Sequence, residues 1–378
     1  ISDGYIAHCY VVSASSLTEC AQLIPNGDAS PSLRRVYRSA FAGGSCDCQC
    51  MWNVTVFPVI VGPTREFHGQ HVFVARGSIT RRAAIGSHLA RGNPSRYQRE
   101  RRWRTDIPVL FDTGSTGLRI FADKVGSDGL KDLGKPTAST FSSGNHLEGR
   151  LASAPVVVAG IPTAGPIEFH KITSASCTAS KPNCPSAGGE AAYIRNTRVV
   201  GVFGAGLRSG SAFSPLQQLQ GPPVSSYSVT IAGNDMMVTL NPRAGTDIAT
   251  FSMPRATPAT HPNGAPAWLD QQVNGCWEVG DGPRTCVPTV FDTGASSTSI
   301  ESSLPGAGSN PRSKPWSLAS AVSAEPVWTV TDSRATPQRI RPHAGDSIVN
   351  TGVAIFQELD VVYDVVRGTV GLRYRSRE

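Results

Sequence analysis

Short apolar runs rich in Val, Ile and Phe recur along this chain, each bounded by Gly, Pro or polar residues, and long stretches of helical spacing are few. That pattern predicts a turn-rich, mostly β protein. Residues 53–61 (NVTVFPVIV) and 71–75 (HVFVA) read as strands. So do 106–115 (DIPVLFDTGS), a buried strand ending in a tight turn, 150–160 (RLASAPVVVAG) and 198–206 (RVVGVFGAG). Residues 214–220 (SPLQQLQ) are one of the few helix candidates, with Ser214 placed as N-cap and Pro215 at the first helical position. A second set of strands opens at 225–233 (SSYSVTIAG), and 359–374 (LDVVYDVVRGTVGLRY) reads as a hairpin turning at Arg367-Gly368.

Within this pattern one phrase occurs twice. Residues 108–120 read PVLFDTGSTGLRI and residues 288–300 read PTVFDTGASSTSI, so Asp292 follows Asp112 by 180 positions. Each copy follows an apolar strand and precedes small hydroxyl residues, and a later strand carrying a Gly follows each. The chain therefore repeats one plan at about half its length, which is an internal duplication and not a short solenoid repeat. A single Asp-Thr-Gly is usually no more than a turn; the pair, in matched surroundings, is a candidate site.

Composition narrows the picture. The chain has 378 residues, enough for two lobes with separate cores, and its 39% hydrophobic and 17% charged content excludes a highly charged disordered chain. No apolar run approaches the roughly 18 residues of a membrane span. The first residue is Ile1, so a fragment or a processed mature form is expected. The net charge of +7 is concentrated between Arg65 and Arg104, where ten arginines face Glu66 and Glu100. With Tyr97 and Trp103 as aromatic platforms this stretch could contact nucleic acid or another polyanion, but no nucleic-acid module surrounds it, and a solvated surface loop is the plainer reading.

Nine cysteines fall in three groups. Cys177 with Cys184, and Cys276 with Cys286, each close a short loop and suit local disulfides in an oxidising compartment, secreted or at the cell envelope. Cys9, Cys20, Cys46, Cys48 and Cys50 remain, an odd number. Residues 46–50 (CDCQC) could bind a soft metal, yet no His follows at zinc-finger spacing, so no metal is assigned. Asn53 opens an Asn-Val-Thr glycosylation sequon.

Two aspartates suit one kind of chemistry. A single ionised Asp cannot both accept a proton from water and return one to a departing amide nitrogen. Two carboxyls sharing one proton can, because like charges a few ångströms apart do not both ionise. Gly114 and Gly294 would permit the tight turn and the close approach of two loops, and the hydroxyls of Thr113 and Thr293 could reach across to the opposite loop. This chemistry requires no cofactor, no metal and no covalent intermediate.

On these residues the chain resembles the pepsin-like bilobal aspartic proteases. Asp112 and Asp292 match the two catalytic aspartates of that family, with Thr113, Gly114, Ser115, Thr293, Gly294 and Ala295 as the supporting loop residues. VVGVFGAGL resembles the family's Gly-bearing strand, which puts Gly204 beneath the first loop. IVNTGVAIFQELDVVYDVVRGTVGLR resembles the last strands of the second lobe, where Gly352 precedes a helical turn. In motif style the chain looks most like bacterial secreted members, mycobacterial and proteobacterial. The resemblance covers residues 52–378 and implies a mostly β, two-lobed fold with a cleft between lobes: an N-terminal lobe over 52–222 with an Arg-rich insertion at about 76–104, and a C-terminal lobe over 223–378. Residues 1–51 form a Cys-rich segment of unassigned role.

The implied function is an endopeptidase, monomeric since both motifs lie in one chain, acting on an extended polypeptide in the cleft. A non-catalytic pepsin-fold binding or inhibitor protein, attached to an anionic surface through the insertion, is the alternative. Three departures stand out. Phe141, in FSSGNHLEGRL, occupies the place of the family's flap Tyr, with the flap expected over 140–151. Arg119 stands where many members have a Trp that contacts that Tyr, so their relay is expected to be missing. Ala295 stands where the first copy has Ser115, so Asp292 is expected to receive fewer hydrogen bonds than Asp112 and to hold its proton to higher pH.

Overall fold

A computed structural model of the chain describes residues 6–12, 56–60, 72–78, 107–127, 129–233, 235–261, 263–307, 314–333, 336–341 and 348–375. The Arg-rich stretch from 79 onward, CDCQC and the sequon at Asn53 lie outside these residues. The described chain is mostly β and has the bilobal plan of the pepsin-like fold: two related β lobes whose Asp-Thr-Gly loops face each other. Among the described residues no helix is long and apolar enough to cross a membrane.

The duplication is visible in the strand pairing. In the first lobe, Ile107–Asp112 leads into the first loop and Thr116–Phe121 leads out of it. Gly201–Ala205 then enters between the two, parallel to the first and antiparallel to the second. In the second lobe, Thr285–Val290 leads in and Thr298–Glu301 leads out. Val349–Asn350 enters between them with the same two orientations. A chain that must thread a strand between two others cannot close this figure locally, so each half depends on contacts far apart in sequence.

A third, seven-stranded sheet joins the lobes. It contains Ile6–Val12, Val72–Ser78, Ser226–Ala232, Asp235–Leu240, Ala249–Ser252, Leu359–Asp364 and Thr369–Tyr374. Tyr227 and Tyr363 stack on this sheet with ring centroids 4.7 Å apart. Their hydroxyls diverge, Tyr227 donating to Ala205 O at 3.0 Å in the first lobe and Tyr363 to Phe291 O at 2.9 Å in the second. Both rings are buried, and each phenol finds the partner that burial demands. The lobe interiors are filled by Phe111 stacked on Phe203 and by Trp277 against Trp328. Both expected disulfides, Cys177–Cys184 and Cys276–Cys286, are formed.

Several elements differ from their sequence reading. The strand expected over 150–160 is two pieces, Asn145–Ala154 and Val157–Val158, because Pro155 lacks the N–H that an unbroken ladder needs. The helix expected over 214–220 is a single 3₁₀ turn, Pro215–Gln218, and the Ser214 side chain makes no cap. A helix at Glu190–Thr197 had no sequence signal, since Gly189 at its N-cap offers no side-chain acceptor. The terminal hairpin turns at Arg367-Gly368 as expected, with Gly368 at φ +70°.

Candidate active site

The two loops lock together by reciprocal hydrogen bonds. Thr113 N donates to Thr293 Oγ1 at 3.1 Å, and Thr293 N donates to Thr113 Oγ1 at 3.0 Å. Each hydroxyl then donates onward across the interface, Thr113 Oγ1 to Phe291 O at 2.8 Å and Thr293 Oγ1 to Phe111 O at 2.9 Å. Both threonines are buried, and the lock pairs the N–H groups of Thr113 and Thr293 and reaches the carbonyls of Phe111 and Phe291 at the lobe junction. A hydroxyl is needed because it accepts from one backbone group and donates to another at the same time.

This lock brings Asp112 and Asp292 together. A methyl group built on Gly114 would lie 2.5 Å from the Asp292 carboxyl carbon, and one on Gly294 would lie 2.6 Å from Asp112 Oδ1. Neither glycine has a positive φ, so close approach and not backbone conformation is what requires Gly here. Beneath the loops Gly204 pairs with Asp112 and Gly352 sits at φ +57°. A side chain on either would strike loop backbone, at Thr116 or at Ser297. Their expected supporting positions are therefore the observed ones.

Asp112 accepts from Gly114 N on Oδ1 at 2.8 Å and from Ser115 Oγ on Oδ2 at 2.6 Å. Asp292 accepts from Gly294 N on Oδ1 at 2.7 Å and from Asn350 Nδ2 on Oδ2 at 2.6 Å. The expectation that Ala295 leaves Asp292 short of a donor is thus corrected: a side chain from the strand beneath replaces the missing hydroxyl. Burial, and then the charge of Asp112, still push the Asp292 carboxyl up to about 7, against the donors Asn350 and Gly294, which favour its ionised form.

A second support was not legible in the sequence. Asp270 is buried, and its carboxylate takes Leu207 N at 2.6 Å and Arg208 Nη1 at 2.8 Å. Arg208 Nη2 and the neighbouring Gln271 Nε2 both donate to Gly114 O, at 3.2 and 2.6 Å. The first loop is therefore held by the charged pair through Arg208, 94 residues downstream, and by Gln271, 157 residues downstream. Asp270→Ala would leave Arg208 half-buried and unpaired, and the expected loss is about 3 kcal/mol of unfolding free energy, read from urea denaturation at pH 6.

The flap candidate is a hairpin of Lys131–Thr140 and Asn145–Ala154 that turns through Phe141 to Gly144, longer than the 140–151 expected. Its tip is tied to the loop closed by Cys177–Cys184. Thr178 N donates to Gly144 O at 2.9 Å, Lys181 Nζ donates to Ser142 O, and Ser186 donates twice to Asn145 Oδ1. The Arg119 guanidinium lies 5.5 Å from the Phe141 ring centroid, with Nε donating to Ser139 Oγ at 2.8 Å. A cation–π contact thus links Arg119 and Phe141, the two positions at which the chain departs from the expected pattern.

No family model matches this chain, and no curated protein does. Among solved structures, the chain is similar to an aspartic proteinase from Irpex lacteus, with 13% identity over 72% of this chain and 91% of that one and a TM-score of 0.46.

Proposed function

We propose that this chain is an aspartic-type endopeptidase that hydrolyses peptide bonds of extended polypeptides through a water activated by Asp112 and Asp292. The observation that carries this reading is the pair of carboxyls held over one another by the reciprocal threonine lock. At the working pH the pair holds one proton. Burial and the neighbouring charge keep it on the Asp292 side, which leaves Asp112 as the base.

Water bound between the two would give a proton to Asp112 as its oxygen attacks the scissile carbonyl carbon. Asp292 would hydrogen-bond the carbonyl oxygen and pass it the shared proton. When the tetrahedral diol collapses, the C–N bond breaks and the proton held by Asp112 goes to the leaving nitrogen, while the Asp292 side recovers its own from the diol hydroxyl. An extended peptide between the lobes, under the hairpin carrying Phe141, would place that carbon above the pair. The two disulfides fit an oxidising compartment as the place of work.

A digest of a denatured protein mixture across pH 3–9, with cleaved bonds identified by mass spectrometry, tests this reading. Activity needs the shared proton, so cleavage is expected below neutrality and to fall as pH rises through about 7, where Asp292 ionises. Undiminished cleavage at pH 9, or none at any pH, would reject the mechanism.

A further inference from the structure

The two halves of the duplication hold their aspartates with different residues, and the difference has a pattern. In the first half the strand threaded under the loop pairs Val202 with Leu110, two positions before Asp112. In the second half it pairs Asn350 with Val290, two positions before Asp292. Val202 and Asn350 are therefore structural counterparts, and both are buried. The first half has a hydroxyl in the loop, Ser115, above an apolar strand position. The second half has an apolar loop position, Ala295, above a polar strand position. Each arrangement delivers one donor to Oδ2 of its aspartate, at 2.6 Å in both cases. We propose that Asn350 is the positioning residue of Asp292, filling from the strand below the role that Ser115 fills for Asp112 from within its own loop.

This proposal rests on the endopeptidase reading for its catalytic meaning, but its geometry stands apart from it. The amide is oriented by a second bond, because Gly352 N donates to Asn350 Oδ1 at 2.8 Å. With the oxygen so engaged, the NH₂ is the end that faces Asp292. An amide nitrogen only donates, whereas a serine hydroxyl can also accept. Asp292 Oδ2 is thus held as an acceptor by Asn350, and Oδ1 as an acceptor by Gly294 N. That oxygen and Asp112 Oδ1 lie over the same glycine, 3.1 and 2.6 Å from a methyl group built on Gly294. Asn350 gives Asp292 a donor-only partner where Asp112 has a hydroxyl, and that is the asymmetry of the pair.

The other groups that act on this pair are few among the described residues. Asp112 faces Asp292 from the opposite loop and Tyr363 lies behind it. Arg119 and Tyr193 act on Asp112 instead. Removing the Asn350 donor should therefore raise the midpoint at which Asp292 loses its proton, leaving Gly294 N as its hydrogen-bond donor among the described residues.

The test uses the counterpart residues as its design. Asn350→Val copies Val202, and Ala295→Ser with Asn350→Val copies the whole first-half arrangement. The carboxyl carbon of Asp292, followed by ¹³C NMR without substrate, is expected to titrate about one pH unit higher in Asn350→Val, as suits the loss of a donor to a charged group. The double variant is expected to return at least about half of that shift, a recovery that a merely structural role for Asn350 would not produce. The alkaline limb of kcat/KM on one peptide should move with the NMR midpoint. In the unsubstituted protein, the Asn350 side-chain amide protons should shift with the same midpoint as Asp292, a measurement that needs no variant to fold. An Asn350 amide insensitive to pH from 4 to 9, or an Asp292 midpoint unmoved in Asn350→Val, would overturn the proposal. A shifted midpoint in a protein that cleaves no peptide would support the role of Asn350 and reject the endopeptidase reading alone.

Discussion

Asp112→Asn and Asp292→Asn are each expected to lower kcat/KM for peptide cleavage by at least about 10³-fold, with no additional loss on combining them. The two carboxyls act as one proton-sharing unit, so removing either leaves a pair that cannot accept and return a proton in the same cycle. Folding should survive, because an Asn side chain fits the same space and the threonine lock does not involve the carboxyl oxygens. Stability should even rise at high pH.

The direction follows from linkage. Asp292 titrates at about 7 in the folded chain against 3.8 for the free group. A carboxyl held above its unfolded value contributes stability that is complete below pH 3.8 and is lost as pH rises through about 7. Asn carries no charge to desolvate, so Tm of Asp292→Asn should exceed that of the parent chain at pH 8 and approach it at pH 4. Thermal unfolding at the two pH values measures this. Near-parent turnover in either variant would contradict the mechanism, and a lower Tm at pH 8 would contradict the electrostatic account of the pair.

Gly114→Ala is expected to reduce kcat/KM by about 100-fold or more while costing about 1–3 kcal/mol of stability. The added methyl would meet the Asp292 carboxyl at 2.5–2.7 Å, and that group cannot swing aside without breaking its bonds to Gly294 N and Asn350 Nδ2. The backbone itself would tolerate Ala, since Gly114 is not in the left-handed region. The loss should therefore appear mainly in kcat, because the substrate-binding surfaces are untouched and only the reacting pair is displaced. Steady-state kinetics on one peptide, with urea denaturation alongside, separates the two effects. A variant with parent-like kcat would mean that the loops stand further apart than 2.5 Å implies.

Asp112, Asp292, the flanking threonines and glycines and the two-lobed β plan were all readable from the chain, for a physical reason. A repeated phrase of strict residue types after buried strands is expensive to maintain by chance, and each residue type in it serves one local purpose, whether turn, close approach, hydroxyl bridge or carboxylate. The two disulfides were readable because each closes a loop of 7 or 10 residues, within which the partners cannot be far apart. What the sequence could not show were bonds whose partners meet only through the threading of strands. Asn350 reaches Asp292 across 58 residues, and Gln271 reaches the first loop across 157. No periodicity or spacing marks either residue. Ala295 itself offers no donor, but the expectation that Asp292 therefore receives fewer hydrogen bonds than Asp112 fails, because the replacement comes from a strand that is adjacent only once the second lobe has closed. Local chemistry along the chain thus determined which carboxylates face each other, while tertiary packing decided which donors surround them and hence where their shared proton rests.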